Sequence, residues 1–377
     1  MKEAFRRVHG ADAEGIWAAP GRVNLIGEHT DYNDGFALPI AIPQHTLVAA
    51  RRRQDGRLRL HSAQGEGPVI DLRVDGLTPG AVTTWGAYPA GVVWALREAG
   101  HPVGGADLHV DSTVPTGAGL SSSAALECAV AFAYNDLYDL RLPAAALALL
   151  AQRAENGFAG VPCGAMDQLA SACCTEAAAL HLDLRAGSHE QVPFDPRAQG
   201  MSLLVVDTRV KHDLGDGAYA ALRTGCERAA RLLGLAALRD LGPVDLPRAA
   251  ELLPPHLVPL VRHVVTENAR VARAVAHLRA GQVAALGPIL RDGHTSLRDD
   301  FRISCAESDL VVDTALEHGA HGARMTGGGF GGSVIVLAEE DRVEPISVAV
   351  TTAFRAAGYQ APHMLPVSAA SGARRVW

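Results

Sequence analysis

Gly21-Arg22-Val23-Asn24-Leu25-Ile26-Gly27-Glu28-His29-Thr30-Asp31-Tyr32-Asn33-Asp34-Gly35 is the stretch on which the reading of this chain turns. Val23, Leu25 and Ile26 read as a buried strand, Gly27 stops it, and after Gly35 the apolar run Ala37-Leu38-Pro39-Ile40 resumes. Arg22, Glu28, His29, Asp31 and Asp34 crowd the tip of this segment. Charged groups at the end of a buried strand are costly unless something pairs with them. A polyhydroxylated ligand would do so, because an ionised carboxylate only accepts hydrogen bonds and can take two hydroxyl donors. A plain polar turn is the other reading of these residues alone.

Outward from this stretch, Val114-Pro115-Thr116-Gly117-Ala118-Gly119-Leu120-Ser121-Ser122-Ser123-Ala124-Ala125-Leu126 reads as a strand end, a glycine loop and a helix start. Glycines let backbone approach a ligand closely. Serines favour the N-cap and leave the first free N–H groups of the helix pointing outward. Those donors and the positive end of the helix dipole suit a phosphate, with one hydroxyl capping and another free to reach Mg²⁺. A plain capped turn is the alternative. Farther on, Arg324-Met325-Thr326-Gly327-Gly328-Gly329-Phe330-Gly331-Gly332-Ser333 places five glycines in six positions, more than a tight hairpin requires, and so suggests a loop lying against a ligand. In Cys163-Gly164-Ala165-Met166-Asp167-Gln168, Asp167 opens an apolar helix. Taken by itself it reads as an N-cap or first-turn acid.

The chain has 377 residues, 48% of them apolar and 20% charged, with a net charge of −7. That describes a globular protein long enough for two domains, and the acidic balance argues against a general nucleic-acid binder. No strongly apolar run is long enough to suggest a membrane span, and Met1-Lys2-Glu3-Ala4-Phe5-Arg6-Arg7 is not followed by a signal-peptide core. Six scattered cysteines without a Cys-x-x-Cys pair point to reduced thiols in a cytoplasm. Lysine occurs only at Lys2 and Lys211, and the P-loop pattern with its lysine is absent, as are the protein-kinase His-Arg-Asp and Asp-Phe-Gly signatures.

The pattern predicts strands over 16–26, 36–50, 57–62, 106–113, 178–184 and 202–208, with helices over 86–99, 121–138 and 143–156. The polar, interrupted stretch from Arg185 to Gly200 marks a domain transition, giving domains 1–198 and 199–377. Beyond it come helices over 219–234, 246–253, 257–279 and 282–298. A capping box at Ser304-Cys305-Ala306-Glu307 opens a helix to about His318. Strands near 322–326 and 333–338, a helix over 344–357 and a strand near 363–368 close the chain. The order suggests an α+β fold with mixed sheets layered on helices.

Together these segments resemble the galactokinases of the GHMP kinase superfamily, nearly end to end. Gly21–Gly35 and its continuation to Pro43 are similar to the galactokinase signature. Pro115–Ala125 is similar to the superfamily phosphate motif, Cys163–Gln168 to the segment bearing the catalytic aspartate, and Met325–Gly332 to the third motif. Ser296-Leu297-Arg298-Asp299-Asp300-Phe301 shares the likeness. The resemblance implies a two-domain fold with the active site in the cleft between domains, and ATP-dependent phosphorylation of the C1 hydroxyl of α-D-galactose. It assigns Asp167 as the base and Arg22 as the cation beside it. Glu28, His29, Asp31, Gly164 and Tyr219 become sugar contacts, and Trp85 and Tyr88 the adenine pocket. Gly117, Gly119, Ser121, Ser122 and Ser123 would hold ATP, with Ser123 or Ser122 and Glu155 on Mg²⁺. It implies no nucleic-acid or membrane partner and a cytoplasmic monomer. Ser333 stands where relatives often carry cysteine, and Ser308 where an apolar residue is common; neither has a proposed catalytic role. An N-acetylgalactosamine or arabinose kinase of the same superfamily, and a non-catalytic sugar sensor, are the alternatives.

Overall fold

The computed structural model describes residues 1–65, 67–210 and 215–377, so Lys211 lies outside the described residues. Helix α1 (Lys2–His9) precedes strands β1 (Gly15–Asn24), β2 (Phe36–Ala37), β3 (Pro39–Arg53), β4 (Arg57–Ser62) and β5 (Ile70–Arg73). Helix α2 (Ala87–Glu98), strand β6 (Gly105–Ser112) and helices α3 (Ser122–Leu137), α4 (Ala144–Ala154) and α5 (Met166–Cys173) follow. Strands β7 (Ala178–Asp183), β8 (Ser188–Pro193) and β9 (Met201–Asp207) lead to helices α6 (Gly215–Leu232), α7 (Leu246–Leu252), α8 (Val258–Arg279), α9 (Leu286–Ser296) and α10 (Ala306–Glu317). Strands β10 (Gly322–Thr326) and β11 (Ser333–Glu339), helix α11 (Val343–Ala357) and strands β12 (His363–Val367) and β13 (Arg374–Arg375) complete the chain. No helix among the described residues is long and apolar enough to cross a membrane.

The fold is α+β. One sheet runs β13-β1-β3-β6-β4-β5, a second β10-β11-β9-β12, and a small third β2-β7-β8. Helices α2 to α5 cover one face of the first sheet, where Val48, Leu58 and Leu108 meet Val92, Leu96, Ala129, Tyr134 and Leu147. Phe5 of α1 packs on the other face with Ile16 and Ala49. In the second sheet, alternate residues enter different cores. Leu203, Val205, Ile335 and Leu337 join Val23, Leu25 and Ile40 from the first strands, with Val271 and Leu290 from α8 and α9. Leu204, Val206, Val334 and Val336 meet Val264, Val311, Ile346 and Phe354. Strands buried on both faces are near-continuously apolar, which is why 202–208 and 333–338 are so plain in the sequence.

Several elements differ from the sequence expectation. The polar stretch after Arg185 contains β8, paired antiparallel with β7 from Ala178↔Pro193 to Asp183↔Ser188. Exposed side chains on an edge strand hid it. The N-cap of α10 is Cys305, without a side-chain cap bond, and the Ser304 hydroxyl donates instead to Asp309 Oδ1 at 2.6 Å. The expected helix over 282–298 begins as α9 at Leu286 and widens into a five-residue π turn over Leu297–Phe301. Helix α1 and the short strands β5 and β13 have no counterpart in the sequence pattern, and β13 returns the chain end to pair with β1.

Candidate active site

A break in strand register aims the first functional side chain. Pairing of β1 with β3 shifts between Pro20 and Arg22, and a bulge of this kind re-aims the following side chain. Gly21 permits it, because a Cβ there would lie 2.7 Å from the Leu120 carbonyl oxygen. Arg22, 4% exposed, then joins three of the sequence motifs. Its Nε and Nη2 donate to Asp167 Oδ1 and Oδ2, both at 2.9 Å, and its Nη1 donates to the Gly119 carbonyl at 2.6 Å. This planar fork on a carboxylate fixes both partners in orientation.

Asp167 stands in the first turn of α5, facing the start of α3. Ser121, the residue preceding α3, has a left-handed backbone (φ 58°) and makes no side-chain cap. Its hydroxyl donates to Asp167 Oδ2 at 2.5 Å instead. The expectation that a serine hydroxyl of this loop caps the helix is therefore corrected for Ser121. Gly117, Gly119, Ser121, Ser122 and Ser123 line the same cleft, of about 340 Å³, as do Asp31, Gly164, Tyr219 and the Gly327–Phe330 stretch.

The sugar-signature residues occupy this cleft with different degrees of freedom. Asp31 lies so close over Gly164 that a Cβ there would be 1.7 Å from Asp31 Oδ2. Burial, and then the charge of Asp167, push the Asp31 carboxyl up to about 6. His29 is neutral, since burial and then nearby His263 lower it to about 3. Its Nε2–H points to the Gly328 carbonyl at 3.3 Å, leaving Nδ1 to accept from the Tyr32 hydroxyl at 2.7 Å. Its ring packs on Tyr219 and Phe301, with centroids 5.1 and 4.9 Å apart. The Glu28 carboxylate takes the Gly327 N–H at 3.0 Å, the Thr326 hydroxyl at 3.2 Å and Arg324 Nη1 at 2.5 Å. All three line the cavity: both His29 ring nitrogens have protein partners, Glu28 Oε1 takes its donors while Oε2 faces Arg324, and Asp31 Oδ1 accepts the Tyr32 N–H at 3.0 Å.

The third glycine segment is both a hairpin between β10 and β11 and a wall of the cleft. Some of its glycines answer to protein rather than ligand. At Gly329, with φ 88°, a Cβ would lie 2.6 Å from the Ile303 Cβ.

Below the serine loop lies a buried acidic cluster. Gln168 Nε2 donates to Glu155 Oε2 at 2.6 Å and to Glu127 Oε2 at 3.2 Å. The Ser123 hydroxyl also bonds Glu155. Burial raises both carboxyls, Glu127 well above its ordinary value, with the Glu155 charge adding to it. Glu155 opens a π turn over Glu155–Ala159, a distortion that recurs at functional sites. Among the described residues, no three His, Cys, Asp or Glu side chains could together hold a metal ion. Ser123 and Glu155 nevertheless fit Mg²⁺, which takes hard oxygen donors, keeps several waters and shares phosphate ligands. Trp85 and Tyr88 stand apart. They flank the start of α2, half-buried, and do not line the cleft.

Sequence reading missed the residues that brace the site from below. Glu267 Oε1 accepts the Gly27 N–H at 2.9 Å and the Glu28 N–H at 3.3 Å. Burial opposes its charge, but Arg270 and Arg324 prevail and hold the carboxyl at about 2. Glu127 and Glu267 sit in ordinary helices with no local signal to mark them, and Arg324, though it heads the third glycine segment, gives no sign in the sequence of its partners.

Comparison with known proteins agrees with this geometry. The galactokinase galactose-binding signature matches residues 3–52, the GHMP kinases N terminal domain 87–175, and the GHMP kinases C terminal domain 274–356. The chain is 58% identical to a galactokinase of Streptomyces coelicolor over 376 residues, spanning 99% of this chain and 97% of the relative. It is 45% identical to a galactokinase of Chloroflexus aggregans, over 93% and 90% of the two chains. The crystal structure of Lactococcus lactis galactokinase complexed with galactose superposes with a TM-score of 0.95 at 31% identity, covering 100% of this chain and 98% of that one. A mevalonate kinase structure, at 17% identity and TM-score 0.66 over 96% and 98% of the chains, shares the fold alone. The chain belongs to the galactokinase family of the GHMP kinases.

Proposed function

We propose that this chain transfers the γ-phosphoryl group of ATP to the C1 hydroxyl of α-D-galactose, giving galactose 1-phosphate and ADP. The observation that carries the reading is the junction of Arg22, Asp167, Ser121 and the Gly119 carbonyl beside the Asp31 carboxylate. Phosphoryl transfer passes through a loose transition state, so positioning and charge stabilisation do most of the work.

Asp167 accepts the proton of the C1 hydroxyl as the C1 oxygen bonds to phosphorus. The bond from phosphorus to the ADP oxygen breaks, and its electron pair leaves with ADP. Arg22 orients Asp167 through both carboxylate oxygens and lies beside the serine loop, where it faces charge developing on the phosphoryl group. The backbone of Gly117–Ser123 cradles the phosphates at the α3 N-terminus. Asp31 accepts sugar hydroxyls over Gly164, with Tyr219, Glu28 and His29 shaping the pocket. Ser123 and Glu155 would hold Mg²⁺, which neutralises phosphate charge when bound. Trp85 and Tyr88 are assigned to adenine on family resemblance, as part of the proposal. The division into domains 1–198 and 199–377, a monomeric state and a cytoplasmic setting belong to it too, the last supported by six free cysteines.

ADP release measured with ATP and Mg²⁺ over galactose, its 2-amino and 4-epimeric analogues, and ribose-sized controls tests this reading. Galactose is expected to give the highest kcat/KM. A higher value for the 2-amino analogue or a ribose-sized sugar would move the assignment to another sugar kinase, and no ADP release with any sugar would make the chain a sensor.

A further inference from the structure

Two charged residues, Glu267 on α8 and Arg324 at the head of the third glycine segment, grip the sugar turn and take no part in the chemistry assigned above. The turn is conformationally strained: Gly27 has φ 105° and His29, which is not a glycine, φ 60°. Such backbone persists only where its surroundings over-determine it. Glu267 on α8 does much of that, with one carboxylate oxygen accepting the successive N–H groups of Gly27 and Glu28 and the other taking Arg270 Nε at 2.6 Å. One turn earlier on α8, His263 Nε2 donates to the Glu28 carbonyl at 3.1 Å. Arg324 on β10, fully enclosed, donates to the Leu25 carbonyl at 2.9 Å and reaches both Glu28 and Glu267. The turn that presents Asp31 is thus clamped by a helix and a strand from the other half of the chain.

We propose that Glu267, with Arg324, is a positioning residue of the sugar subsite: it holds Gly27–His29 in the left-handed shape that aims Asp31 at the sugar, without touching the sugar. The proposal rests on the sugar-kinase reading and adds a partner that no motif contains. If Glu267 acted only in stability, its loss would lower the melting temperature and leave the affinities of a folded variant unchanged, or reduce sugar and nucleotide binding alike. A positioning role separates the two ligands, because the nucleotide cradle at Gly117–Ser123 hangs from other elements.

Titration calorimetry with galactose and with a non-hydrolysable ATP analogue, on wild type, Glu267→Asp and Glu267→Gln, tests it, with thermal melts alongside. Shortening to Asp withdraws the carboxylate from the turn, and galactose Kd is expected to rise about tenfold to a hundredfold, as misplaced binding groups do. The nearly isosteric Gln has one acceptor oxygen for two sets of donors, and an increase of about threefold to tenfold is expected, with nucleotide Kd within about twofold in both variants. Folded variants that bind galactose within about twofold of wild type, or that lose both ligands by the same factor, would overturn it. If the Asp variant does not fold, the Gln variant decides by the same criteria. Wild type that binds another sugar of the panel and not galactose overturns the substrate assignment, and the clamp is then judged by the same ratios with that sugar.

Discussion

Asp31 shows how function and stability oppose each other at a single residue. Its folded carboxyl, near 6, lies above the ordinary value of 3.8. The folded state therefore binds this proton more tightly than the unfolded chain. The resulting contribution is favourable below about pH 3.8 and lost as pH rises through 6, so at neutral pH an ionised Asp31 works against the empty fold. Asp31→Asn is expected to stabilise the ligand-free protein at pH 7.5 by on the order of 1–2 kcal/mol, below the full linkage value because the cleft admits water. The gain should vanish near pH 4, while galactose affinity falls sharply and ATP affinity holds. Melts from pH 4 to 8 with each ligand check this, and a pH-independent difference would contradict it. Gly164→Ala attacks the same contact by volume. Its methyl would occupy the place of Asp31 Oδ2, and kcat/KM for galactose should drop about tenfold to a hundredfold. An unchanged value would mean that Asp31 does not need this place. At this scale the charged tip of the strand segment marks Arg22 and Asp31 in the sequence, whereas Asp167 taken alone reads as a first-turn acid and its role comes from the family resemblance. The sequence could not show that Glu28 and His29 turn their polar atoms to Arg324, Thr326, Gly328 and Tyr32, since those partners lie about 300 residues away or depend on a left-handed turn.

Between elements, the visible joints are polar. Arg239, in the segment between α6 and α7, donates to both oxygens of Asp183 on β7 at 2.6 and 3.0 Å and to the Asp34 carbonyl at 2.9 Å, and its guanidinium lies 3.9 Å from the Phe36 ring centre. Asp183 is correspondingly held at about 2 by this hydrogen bonding. Arg239→Ala is expected to cost about 1–3 kcal/mol, in the range of a partly buried bidentate pair with a cation–π contact, and urea midpoints measure it. A shift smaller than about 0.5 kcal/mol, the size typical of a surface change, would show the joint to be dispensable. Helices α3 and α8, with apolar residues at helical spacing, and strands β9 and β11, continuously apolar because both faces are buried, were legible in the sequence. Strand β8, helix α1 and the two-residue β13 were not. Their backbone pairing and a single buried Phe5 define them, and neither leaves a periodic trace.

Across the whole molecule, buried neutral histidines work against the fold as pH falls. His29 and His263 fall to about 3 and 4 on burial, below their ordinary 6.5. Both take up a proton on unfolding, so the stability they contribute is present above pH 6.5 and lost as pH falls through that window. The raised carboxyls of Asp31, Glu28, Glu127 and Glu155 oppose them. The histidine contribution is isolated by difference: relative to wild type, His263→Asn is expected to gain stability as pH falls from about 6.5 to about 4.5, by up to about 1.4 kcal/mol per pH unit. Chemical denaturation of both proteins checks this, and parallel pH profiles would contradict it. The same scale holds the central claim, that stretches near residues 22, 121, 167 and 327 converge on one cleft in which Asp167 takes the sugar proton. Turnover of Asp167→Asn, compared with its galactose and nucleotide affinities, tests this most directly. Turnover is expected to fall about a hundredfold to ten-thousandfold, with both ligands bound within about threefold of wild type; near-normal turnover in a folded, ligand-binding Asn variant would contradict this role.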